Sequence, residues 1–67
     1  MNIEMEARWL HELRNAVNSS CIALDVARRA LEAADPARAL EFLRHAQRSC
    51  ARMRDLLDMP DPGEFPV

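Results

Sequence analysis

The sequence predicts an all-α protein: an antiparallel helical hairpin that dimerises into a four-helix bundle. Three observations carry this expectation. Apolar residues recur in alternating steps of three and four along two long stretches, the pattern of helices that pack along a seam. One Asp35-Pro36 break separates the stretches, so the connection is short and the two helices run antiparallel. A chain of 67 residues makes one small domain with little interior, and a core shared with a second copy is a route to stability.

The first helix is expected over residues 3–33. Leu10, Leu13, Val17, Ser20, Leu24, Ala27 and Leu31 form its seam, apolar except at Ser20. Ala, Leu, Glu and Arg dominate the stretch, and all four are good helix formers. Neither Pro nor Gly interrupts it. Glu4 with Arg8, and Asp25 with Arg29, stand four apart in the favourable acid-before-base order. Pro36 then disfavours helical geometry at Asp35. A turn at 34–35 follows, in which Asp35 caps a second helix with Pro36 at its first position.

The second helix is expected over 36–58, with the seam Ala39, Leu43, Ala46, Cys50, Met53 and Leu57. Leu40, Phe42 and Leu56 widen its apolar stripe, enough to cover more than one neighbour. Met59-Pro60-Asp61-Pro62-Gly63 stops it. The helical unit therefore spans 1–59, and 60–67 is a short Pro-rich tail expected to be loose.

Composition narrows the functions. Charged residues make up 30% and hydrophobic residues 49%, which argues against disorder. The net charge of -2 lacks the basic excess of a nucleic-acid binder. No apolar run approaches the ~20 residues that span a bilayer, and the acidic start lacks the basic region of a signal peptide. The expected compartment is the cytoplasm, where Cys21 and Cys50 read as reduced, buried small residues. A disulfide between them, at similar heights, is geometrically open but not favoured. The only glycine is Gly63, so there is no glycine-rich phosphate loop and no recognisable ATP site. His45 is expected at the surface, and it makes only a thin metal constellation with the two cysteines, so no metal site is expected.

The residues best suited to chemistry surround His11. Arg8, Asn15 and Asn18 share its face, with Ile22 a turn beyond. That stripe is polar where a buried one would be apolar, so His11 should be exposed. A neutral, accessible ring nitrogen is a competent nucleophile. Glu12 is the carboxylate available to steady the ring during attack, although adjacent helical residues do not face one another. Asn15 stands over the same spot and can orient a water or touch a phosphoryl oxygen, while Arg8 and Arg14 can neutralise its charge. A single surface histidine on a helix is nonetheless most often only that.

The run His11-Glu12-Leu13-Arg14-Asn15-Ala16-Val17-Asn18 resembles the H-box of sensor histidine kinases, in their dimerisation and histidine-phosphotransfer domain. The family pattern is His, an acid, an aliphatic residue, a basic residue, Asn/Thr/Ser, commonly Pro, then an aliphatic residue. Six of these seven positions agree, and Ala16 stands where Pro is usual. The resemblance extends over the hairpin to Arg52-Met53-Arg54-Asp55-Leu56-Leu57, much as the family's second helix ends. It implies that His11 accepts a phosphoryl group as a phosphoramidate, with Glu12 as acid/base partner and Asn15 at the position used to dephosphorylate a partner. It also implies that a response-regulator receiver domain docks beside His11, with Asn18, Ser19 and Ile22 as contacts.

Three readings follow. The chain is the dimerisation and phosphoacceptor module of a kinase whose catalytic domain lies elsewhere; or a free-standing bundle that shuttles phosphate or modulates kinases; or a structural dimerisation hairpin with a vestigial H-box. In none does the chain act as a kinase alone. It carries no cofactor, because ATP and Mg²⁺ would belong to a separate catalytic domain.

Overall fold

In a computed structural model of the chain, residues 3–58 are described. They form two helices, α1 (Ile3–Glu32) and α2 (Pro36–Asp58), packed against each other as an antiparallel hairpin. The expected loose tail over 60–67 lies outside the described residues. No described helix is long and apolar enough to cross a membrane.

The turn is built from two interlocking caps. Asp35 N–H donates to the Ala30 carbonyl at 2.8 Å and Ala34 N–H to the Leu31 carbonyl at 3.0 Å. Together these bonds make a Schellman motif, which satisfies carbonyls the end of α1 leaves unpaired. The motif requires a left-handed residue, and Ala34 takes that conformation with φ 56°. Asp35, last in this motif, is also the first cap of α2: its Oδ1 accepts from Arg38 N–H at 3.1 Å. Its own carbonyl accepts the first helical bond of α2, from Ala39 N–H. The first helix thus ends one residue earlier than the sequence pattern suggested.

On α1 the line of contact differs from the expected seam, whereas on α2 its buried residues, Ala39 and Ala46, both belong to that seam. On α1 the buried row is Ala16, Ser20, Ala23, Ala27 and Ala30, and on α2 it includes Ala39 and Ala46. This row also advances by four and three, so it is a second seam interleaved with the first, sharing Ser20 and Ala27. The large residues of the expected seam, Leu10, Val17, Leu24 and Leu31, stand 40–60% exposed. On α2, Leu40, Leu43 and Leu57 are exposed as well. The physical reason is size: methyl side chains let two backbones come close, and leucines on that line would hold them apart. Ser20 fits the seam because its Oγ donates to the Ala16 carbonyl at 3.0 Å, leaving no unsatisfied hydroxyl.

The expectation that Cys21 and Cys50 are buried is corrected. Both are free and exposed. Cys50 belongs to the expected leucine seam, which the single hairpin leaves open, and its Sγ lies 3.8 Å from Ser20 Oγ. On the outer side of α1, Arg28 pairs with Asp25 and Glu32, and Arg29 with Asp25. Of the two pairs that spacing predicted, Asp25–Arg29 forms, and Glu4–Arg8 is not among the ion pairs of the described residues. Exposed pairs of this kind contribute little to stability.

Two substitutions test this packing. Ala34→Gly removes the left-handed penalty and is expected to raise stability by about 1 kcal/mol, an increase in Tm of roughly 4–8 °C for so small a domain. Ala27→Leu, in a seam with no room for it, is expected to destabilise by about 1–3 kcal/mol in a urea titration.

Candidate functional site

The position of His11 is set from both sides. Two residues before it, Trp9 Nε1–H donates to the Leu56 carbonyl at 2.8 Å. Leu56 lies in the last turn of α2, where carbonyls lack helical partners. The indole therefore caps α2 and ties its end to the second turn of α1. One residue after His11, Glu12 pairs with Arg52 of α2. Between these two ties His11 points away: at ~100° per residue it lies roughly 140° round the helix from Ala16. The imidazole is exposed, as its polar surroundings predicted.

The predicted site residues divide into two groups. Arg8, Arg14, Asn15 and Asn18 are exposed, and Arg8, Asn15 and Asn18 flank His11 on its side of α1. Glu12 stands apart from His11, Asn15 and Asn18 and shares only Arg8 with them. One residue on from His11 turns it by ~100°, toward α2, where it lines an open groove with Arg8, Arg48, Arg52 and Asp55. Its carboxylate is engaged by Arg52 there rather than standing beside the imidazole.

Ser19 and Ile22 line a second, shallower cleft between the helices. Its other walls are Ala23, Phe42, His45 and Ser49. In the sequence, Phe42 reads only as part of an apolar stripe and His45 only as a surface residue. Their spacing of three and four with Ser49, on a side of α2 away from Leu40, Leu43 and Leu57, was the signal available. Arg38 sits 5.5 Å over the Phe42 ring, and the His45 ring lies 5.3 Å from it, tilted. Arg48 donates to His45 Nδ1 at 2.6 Å. The two histidines thus differ: one nitrogen of His45 is occupied, whereas no hydrogen-bond partner holds either nitrogen of His11 among the described residues.

Chemically, the arrangement offers an unencumbered imidazole on a rigid helix, with guanidinium and amide groups within a turn on either side. The groups that can meet a phosphoryl oxygen, Arg8 and Asn15, are present and unburied. Comparison with models of protein families, with curated proteins and with solved structures finds no match to this chain.

Trp9→Phe keeps the ring but removes the donor that caps α2. It is expected to cost about 0.5–1.5 kcal/mol in chemical denaturation, with faster amide exchange at the end of α2 and little change at the turn.

Proposed function

We propose that this chain is the dimerisation and phosphoacceptor module of a two-component signalling system. It works as a homodimer in the cytoplasm, and His11 accepts a phosphoryl group or relays it to a response-regulator receiver domain. The observation that supports this most is His11 itself: exposed, with both ring nitrogens unengaged among the described residues, inside a run that resembles an H-box. In this reading an imidazole nitrogen attacks phosphorus, the N–P bond forms, and the bond to the donor oxygen breaks. The donor, a kinase catalytic domain with ATP and Mg²⁺ or a phosphorylated receiver aspartate, lies outside this chain. The ring proton passes to a base. Arg8 and Arg14 offset the charge of the bound group, and Asn15 positions the water that hydrolyses a phosphorylated partner. Asn18, Ser19 and Ile22 contact the receiver.

Glu12 is the acid/base partner by this reading, and its pair with Arg52 must open for it to serve His11. That pair favours one second reading, a structural dimerisation hairpin whose H-box no longer transfers phosphate.

Labelling separates the two. The chain is incubated with a phosphorylated receiver, or with ATP and a histidine kinase catalytic domain supplied in trans. The phosphoacceptor reading expects an acid-labile label on the wild type and on His45→Ala, and none on His11→Ala. His11→Ala should keep its helix content and stability within ~0.5 kcal/mol, since it alters an exposed site. An unlabelled wild type selects the structural hairpin, and label that survives His11→Ala overturns His11 as the phosphoacceptor.

A further inference from the structure

The groove around the Glu12–Arg52 tie holds more positive charge than that tie uses. Three guanidinium groups line it, Arg8 from α1 and Arg48 and Arg52 from α2, against two carboxylates, Glu12 and Asp55. Glu12 is paired with Arg52. Arg48 spends one donor on His45 Nδ1 and keeps the rest of its five N–H groups. Neither Arg8 nor Arg48 has a carboxylate partner among the ion pairs of the described residues. Ala51 and Leu56 give the apolar part of the wall, and the Trp9 indole fixes the Leu56 backbone. The groove measures about 580 Å³, within the ~300–1,000 Å³ of small-molecule sites.

We propose that this groove binds a phosphoryl oxyanion, and that an anion seated on Arg52 displaces Glu12 and releases it toward His11. The use of that release in transfer rests on the phosphoacceptor reading, whereas the anion site stands without it.

Three features point to a phosphoryl group as the ligand. The first is donor shape: a guanidinium fork meets phosphate oxygens in pairs, and forks from two helices open on one groove. The second is charge. Arg52 already holds a carboxylate, so a ligand that replaces it must carry more charge than a carboxylate does. A phosphoryl group carries about −1.5 to −2. The third is position. At ~100° per residue, Arg8 lies roughly 60° round α1 from His11 and roughly 40° from Glu12, between the two. It is also ~4.5 Å from His11 along the helix axis, so an anion held by Arg8 and Arg52 stands within one turn of the imidazole. Asp55 opposes the ligand, which keeps binding weak enough to reverse. The Glu12–Arg52 pair is exposed and opens at little cost. Anion and Glu12 thus compete for one guanidinium, and arrival of the donor is what frees the carboxylate that His11 uses.

The test titrates the full chain with pyrophosphate, acetyl phosphate and acetate at low salt, where exposed charges are least screened. The guanidinium N–H signals and the His11 ring nitrogens are followed by NMR. Pyrophosphate stands for a nucleotide's polyphosphate, and acetyl phosphate for a phosphorylated receiver carboxylate. At least one of them should bind and shift Arg8, Arg48 and Arg52, and the tighter of the two identifies the source. Acetate should not bind. Arg8→Gln and Arg48→Gln should each weaken binding, and Glu12→Gln and Asp55→Asn should each tighten it, by about two- to fivefold, the scale of one exposed charge pair. Arg29→Gln, an equal loss of charge on the outer side of α1, should leave binding unchanged. All variants should keep their helix content by circular dichroism. The His11 ring signals should move with phosphate in the wild type and stay in place in Glu12→Gln. Three results overturn the inference: no binding of either phosphate, weakening by Arg29→Gln equal to that of Arg48→Gln, or a His11 response that persists in Glu12→Gln. Binding in the groove of a chain that takes no label at His11 defeats the phosphoacceptor reading alone. Label at His11 without binding in the groove defeats this inference alone.

Discussion

The close approach of two backbones along a line of methyl groups determines the rest of this structure. Ala16, Ala23, Ala27 and Ala30 on one helix, and Ala39 and Ala46 on the other, are almost wholly buried. Side chains this small place helix axes toward the short end of the ~8–10 Å range. The register that results sets Trp9 against Leu56 and Ser20 against Cys50. The same choice limits stability. Burial of a methyl contributes about 0.8 kcal/mol, so such a seam specifies geometry better than it resists unfolding. The leucines that would ordinarily supply burial are displaced to the flank.

Much of this was legible in the sequence, and the remainder was not, for one reason. The helices, the short turn and the capping of α2 by Asp35 follow from local chemistry that does not depend on tertiary contacts. The seam does depend on them. Two interleaved rows with the same step pattern run along α1, and they share Ser20 and Ala27. A reading weighted by hydrophobicity selects the row of Leu10, Val17, Leu24 and Leu31, because alanine scarcely registers on such a scale. The structure uses the other row between its own helices. Expecting Cys50 to be buried was part of the same choice.

The candidate site divides in the same way. Exposure of His11 was readable, because Arg8, Asn15 and Asn18 around it are polar. The direction of Glu12 was not, since it depends on which row meets α2. Once the alanine row takes that place, Glu12 is carried toward Arg52 and away from the imidazole. The cleft of Phe42, His45 and Ser49 was missed for a related reason: its walls come from both helices, and neither half is distinctive alone.

The hairpin is joined at its two ends by very different means. At one end the chain itself turns, through two interlocking caps. At the other, among the described residues, the Trp9 indole donates to the Leu56 carbonyl in the last turn of α2, and Glu12 pairs with Arg52 a turn further in. A torque applied to the first turns of α1 therefore meets that latch before it reaches the imidazole two residues further on. Because Trp9 is the only tryptophan in the chain, its fluorescence watches the latch nearest His11 with no introduced dye.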